Sequence, residues 1–210
     1  MKWYEASLIV AAIFAGFALV HSLLVTGAAK SIARKLFGEE RVRAYYRLGY
    51  TVVSSVAVLI AIYLISLVPD VSLYTPPLWL KLVCYALQAV GLAVGAVAFI
   101  HISFWEFAGF SQAMRRLGHT AQVGDDEGLR QSLVRGGIFG MVRHPLYLSG
   151  VMLFMFNPHY TRTWITVSVM AIGYFVLGAF LEERRLLDRF GDEYRRYMER
   201  VPRFVPKIFS

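Results

Sequence analysis

Arg143, His144 and Pro145 stand together just ahead of an apolar run that opens Leu146-Tyr147-Leu148. Proline is well tolerated at the first position of a helix, so the pattern places a guanidinium and an imidazole beside a helix start. There the backbone N–H groups are free and the helix dipole is positive, an arrangement that suits a carboxylate. Further along, Glu182 and Glu183 close another apolar run, and the chain continues as Phe190-Gly191-Asp192-Glu193-Tyr194 and Val201-Pro202-Arg203-Phe204-Val205-Pro206. A carboxylate in such a place can pair with a sulfonium or an amino group. Adjacent helical residues point about 100° apart, so one glutamate faces inward while the other meets water or Arg184 and Arg185. The plainer alternatives are a basic helix start whose Arg143 snorkels to the surface and a solvated acidic helix end.

Apolar blocks must position these groups. The chain is 57% hydrophobic and 17% charged, with a mean hydropathy of +0.52, and its apolar residues come in long runs, which is a membrane signature. The first run covers about 6–26, too long and too weakly preceded by cations for a cleaved leader. A basic amphipathic stretch over 30–47 follows, then a second run over 48–68. Pro69-Asp70 and Pro76-Pro77 break the chain before a third run over 78–104. A polar loop is expected over 119–135. The runs over 146–156 and 163–181 complete the set, divided by Asn157-Pro158-His159-Tyr160-Thr161-Arg162. At 1.5 Å per residue, the run over 146–156 reaches only about 17 Å and cannot cross a bilayer alone. Either 136–142 extends it, or the Arg143-His144-Pro145 turn lies below the membrane surface, where irregular backbone must line a protein cavity.

The fold expected is all-α: a polytopic membrane bundle of about five spans, the last two forming a hairpin with the fourth short, and a cytoplasmic C-terminal tail. Of the 22 Lys and Arg residues, 19 fall in loops that this topology puts on one side, which satisfies the positive-inside rule. The net charge of +8 therefore points to anionic lipid rather than nucleic acid. One integral-membrane domain is expected over 1–210, with N-terminal helices over 1–88 and a core over 89–206.

Other polar residues carry less. His21, His101 and Glu106 lie in or near apolar runs, but three scattered groups have no metal-ligand spacing. The single cysteine, Cys84, allows neither an internal disulfide nor a thiolate metal site. Gly91 and Gly95, one turn apart, point to a close helix–helix contact.

The turn, the glutamate pair and the tail, in this order, resemble the membrane methyltransferase superfamily of isoprenylcysteine carboxyl and phospholipid methyltransferases, over about 89–206. His21-Ser22-Leu23-Leu24, Tyr46-Arg47-Leu48 and Glu106-Phe107-Ala108-Gly109-Phe110-Ser111-Gln112 are more similar to the methanethiol S-methyltransferase and NnrU-like branch. The resemblance implies S-adenosylmethionine as methyl donor, held by Gln112, His144, Pro145, Tyr147, Leu148, Glu182, Glu183 and Tyr194. It implies Arg143 and Glu183 as the residues nearest the chemistry, and a hydrophobic or membrane-permeant acceptor arriving from membrane lipid. The site is expected to face the cytoplasm across a bacterial or archaeal cytoplasmic membrane. Gln131 and Phe139 stand where isoprenylcysteine enzymes carry His and Tyr, which weakens a prenylcysteine acceptor in particular. A thiol acceptor would react as thiolate beside a cation such as Arg143. Two alternatives remain: a membrane reductase of the sterol-reductase type using NADPH, and a non-enzymatic NnrU-like membrane component.

Overall fold

The computed structural model describes residues 2–117 and 133–206. Most of the loop expected over 119–135, Gln131 included, lies outside the described residues. The chain divides into two compact units, residues up to 69 with those from 102 to 117, and residues 70–101 with those from 133 onward.

In the first unit, α1 (Trp3–Val25) and α3 (Glu39–Ser66) pack along each other, joined by α2 (Gly27–Phe37). Ala6 and Val10 of α1 are fully buried, whereas Leu8, Leu19, Leu23, Leu59 and Ile60 are exposed. Only 6% of the most apolar window of each long helix is buried within the protein, so lipid must cover the rest. Thr26 caps α2, its hydroxyl accepting from the Ala29 amide at 3.2 Å. Gly38, with φ of 84°, turns the chain into α3. That break splits the basic stretch between α2 and the first turns of α3, which starts nine residues ahead of its apolar run with Glu39 and Glu40 in its first turn and Glu39 paired to Arg43 at 3.4 Å. α5 (Phe104–Phe107) and α6 (Phe110–Leu117) close the unit. Between them Gly109, with φ of 86°, sits so close to α3 that a Cβ would fall 2.5 Å from the Leu48 amide nitrogen.

The second unit holds α4 (Leu78–Ile102, all but its last residue), α7 (Pro145–Met155), α8 (Arg162–Phe190) and α9 (Asp192–Arg200). The strands β1 (Ser72–Tyr74) and β2 (Tyr160–Thr161) pair antiparallel, an element that the apolar pattern did not announce. This ribbon ties the loop before α4 to the loop between α7 and α8, so α4 and α8 set out from one end and α7 runs back towards it. Gly91 and Gly95 do mark a close contact, since a Cβ would fall 2.9 Å from Met152 Cβ and 2.7 Å from Ser149 Oγ of α7. Gly150 likewise lies against the Phe175 ring of α8.

The fold is the all-α polytopic one expected. Among the described residues α1, α3, α4 and α8 are long and apolar enough to cross a membrane, and α7 is a shorter apolar helix; the protein is an integral membrane protein. Residues 136–142 do not extend α7: Gly137–Gly140 form a 3-10 turn. α8 instead runs nine residues past its apolar block before Gly191, with φ of 53°, breaks it. α9 then folds back on the end of α8, where Tyr194, Tyr197 and Val201 pack with Leu186, Leu187, Phe190 and Leu133.

Candidate functional site

The turn before α7 and the acidic end of α8 meet inside the second unit. Glu183 is 3% exposed, and its buried carboxylate demands counter-charge. Three cationic or imidazole groups supply it. Arg143 grips Oε1 through Nε at 2.9 Å and a terminal nitrogen at 2.8 Å. The imidazole Nε2 of His144 lies 3.1 Å from the same oxygen. Arg203, from the tail, donates to Oε2 at 2.5 Å and stacks over the Phe180 ring at 3.8 Å. The remaining Arg143 terminal nitrogen donates to the carbonyls of Met198 and Val201 at 2.9 and 2.6 Å. Its donors are thus committed to binding the end of α9 to α8.

The backbone of the turn is satisfied in the same way. The amide of Arg143 donates to the Pro202 carbonyl at 2.9 Å, and that of His144 to the Arg203 carbonyl at 3.2 Å. Irregular backbone next to a helix start would otherwise leave costly unpaired groups. Here the tail carbonyls supply the partners. Pro145 opens α7 fully buried, and the His144 ring stands 5.5 Å from Tyr147 and 6.1 Å from Phe204. Tyr147 in turn packs on Gly178 and Phe175 of α8. Leu148 is half-buried on the first turn of α7 and donates its amide to the His144 carbonyl at 2.9 Å.

The two adjacent glutamates separate as helix geometry requires. Glu183 turns inward; the Glu182 side chain is 47% exposed, with its carboxylate 3.5 Å from Nδ1 of His144. The imidazole therefore bridges a neutralised carboxylate and one whose single ionic neighbour among the described residues is the imidazole itself. Close by, Tyr194 is 1% exposed, and its hydroxyl has no hydrogen-bond partner among the described residues. Burial and then the Glu183 charge hold its pKa far above the usual phenol value, so it is a neutral donor. Tyr197, pushed up to about 12 by burial against the pull of Arg143 and Arg135, donates to the Phe139 carbonyl at 2.5 Å.

Of the residues singled out from the sequence, Arg143, His144, Pro145, Tyr147, Leu148, Glu182, Glu183 and Tyr194 all belong to this unit. Gln112 belongs to the other. There it is buried, its amide nitrogen 3.2 Å from the Glu106 carbonyl and its amide oxygen unpartnered among the described residues. Arg203 and Tyr197 were not singled out. Arg203 was visible inside the Val-Pro-Arg-Phe-Val-Pro tail, but only folding brings it to Glu183, 20 residues away. The histidines in apolar runs act as packing groups. His21 meets the Tyr50 hydroxyl at 2.7 Å, and His101 bonds the Val97 carbonyl at 2.8 Å while its ring faces Gly137.

The family model described as "NnrU protein" matches residues 8–158. The chain belongs to the NnrU family. Curated relatives carry a further name. Methanethiol S-methyltransferase 1 of Bradyrhizobium diazoefficiens is 39% identical over 69 residues, 33% of this chain and 24% of the relative. Methanethiol S-methyltransferase of Pseudomonas deceptionensis is 30% identical over 119 residues, 57% of this chain and 43% of that protein. Methanethiol S-methyltransferase 2 of B. diazoefficiens is 27% identical over 219 aligned positions, 98% of this NnrU-family chain and 75% of its own length. The chain spans between 24% and 43% of the length of the first relatives it matches. No solved structure matches it.

Proposed function

We propose that this chain is a membrane methyltransferase that takes a methyl group from S-adenosylmethionine and passes it to a small, membrane-permeant thiol, at a site facing the cytoplasm. The observation that carries the reading is the division of labour between the two glutamates. Glu183 is spent on Arg143, His144 and Arg203. Glu182 is half-exposed with His144 as its neighbour, within electrostatic reach of the buried Tyr194 hydroxyl, which has no hydrogen-bond partner among the described residues. A cofactor that bears a positive sulfur, an ammonium group and a carboxylate needs an uncommitted anion and an uncommitted donor, and these residues fit it. The methanethiol S-methyltransferases aligned with the chain support the thiol class.

When bound, S-adenosylmethionine supplies an electrophilic methyl group on a positively charged sulfur. Glu182 is the counter-charge for its cationic part. Tyr194 donates a hydrogen bond. His144, Pro145, Tyr147 and Leu148 shape the apolar wall, and Gly178 leaves room for the Tyr147 ring. Arg143 and Glu183 act as positioning residues: their ion pair fixes the turn that carries His144. The aromatic groups beside His144 keep water away, which favours a reaction in which opposite charges disappear, while fixed placement of the partners supplies the remaining acceleration.

The test is to supply the purified chain with methyl-labelled S-adenosylmethionine and a panel of small thiols, prenylcysteine analogues and phospholipids. Label appearing in a volatile or small thioether is the expected result. Absence of S-adenosylhomocysteine binding by calorimetry, or competition only by NADPH, overturns the reading.

A further inference from the structure

α9 carries a second feature that the donor site does not use. A cavity of about 250 Å³ opens beside it, lined among the described residues by Arg135, Arg196, Tyr197, Arg200 and Val201. Tyr197 and Val201 are buried and form its floor. Arg196 and Arg200 stand one turn apart on one helix face, an arrangement of like charges that destabilises a helix unless something neutralises it. Arg135 pairs with Glu193, and Arg195, on another face, pairs with Asp192 at 3.4 Å. Neither Arg196 nor Arg200 has a carboxylate partner among the described residues. Three guanidinium groups with one carboxylate leave the cavity with an excess of positive charge.

Its depth in the membrane follows from α8. The 29 residues of that helix reach about 43 Å, well beyond a hydrocarbon core of about 30 Å. Glu183 comes about 30 Å after Arg162, so about the last two turns of α8, which ends at Phe190, lie at headgroup level. α9 packs on Leu186, Leu187 and Phe190 of that stretch and therefore lies where lipid phosphates lie. We propose that the arginine-lined cavity binds the phosphate of an anionic phospholipid headgroup, docking α9 on the bilayer surface. Planar guanidinium forks match phosphate oxygens two at a time, and anionic lipid attracts clustered cations at this depth. The proposal is independent of the methyl-transfer reading, since it concerns binding of a lipid and not reaction with it.

The test uses the full chain in detergent micelles, titrated with phosphatidylglycerol, phosphatidylcholine or inorganic phosphate and read by native mass spectrometry. The expected result is one phosphatidylglycerol retained per chain, more weakly bound phosphatidylcholine, and no displacement by millimolar inorganic phosphate. In Arg196→Gln/Arg200→Gln retention should fall about tenfold, the loss of roughly one charge-assisted pair. Arg196→Lys/Arg200→Lys keeps the charge and serves if the first variant unfolds; it should retain the lipid less well than the native chain because the forks are lost. Arginine-dependent binding of inorganic phosphate alone would assign the cavity to free phosphate and overturn the headgroup. Equal retention of phosphatidylglycerol by native chain and variants, or none by either, overturns the site itself.

Discussion

The two ends of the second unit are fastened by different chemistry. At the ribbon end, neutral and singly charged hydrogen bonds join β1, β2 and the start of α8. The Asp70 carboxylate accepts from the amides of Val71 and Thr163 at 2.8 and 2.9 Å, Thr161 caps α8 through the Trp164 amide at 3.1 Å, and Tyr74 and Tyr160 meet edge to face. At the other end, one buried carboxylate is shared among two guanidiniums and an imidazole. Capping bonds of the first kind are modest and independent, and each can fail alone. A buried charge cluster fails as a unit, because any member removed leaves the others buried and unpaired. The ribbon end thus behaves as a clasp, and the Glu183 end as a lock whose integrity sets the geometry around His144.

The largest break in that contrast is Glu183→Ala. With Arg143 and Arg203 left facing each other, a loss of about 3–5 kcal/mol is expected, measured by denaturant unfolding in detergent; a loss under ~1 kcal/mol would mean that the cluster is not a lock. Next in size is Arg203→Ala. Removing one charge-assisted bond costs about 1.5–3 kcal/mol, mostly by freeing the tail, so limited proteolysis near 201–206 should accelerate while α8 stays protected. Glu182→Gln separates structure from function. Stability should move by less than about 0.5 kcal/mol, since the side chain is half-exposed, while affinity for S-adenosylmethionine falls about tenfold. The smallest effect belongs to the clasp. Asp70→Ala should cost about 1 kcal/mol, the worth of a helix cap. Burial tends to raise the Asp70 carboxyl, but bonds from Thr161, Thr163 and Val71 outweigh it and bring the pKa below its ordinary 3.8. A depressed carboxylate stabilises the fold above that value, and the contribution disappears as pH falls through the lower, folded value. Native chain and Asp70→Ala should therefore differ in melting temperature at neutral pH and converge in acid.

The long apolar helices were legible because lipid exposure demands nothing subtler than length and hydrophobicity. Their ends were harder. α8 outlasts its apolar run because Glu183 finds buried cations and the leucines beyond it pack on α9. α3 begins early because its basic turns still form helix. The ribbon escaped notice because two or three residues of strand have no period to read. The motif around His144 and the glutamates was visible as residue types in a family order, yet nothing local said that Arg203 would complete the Glu183 cluster or that tail carbonyls would accept from the amides of the turn.

By itself, the order of residues determined that this chain enters a membrane, roughly where its long apolar helices run, that Gly91 and Gly95 let two helices touch, and that two neighbouring glutamates must face different ways. Local propensity and the 3.6-residue repeat are enough for that. Only the tertiary structure decided which glutamate is buried, that its charge is cancelled by cations 40 residues before and 20 residues after it, and that the Tyr194 hydroxyl has no hydrogen-bond partner among the described residues. Those are properties of distance between remote segments, and the cost of burying an unpaired charge is what selects them.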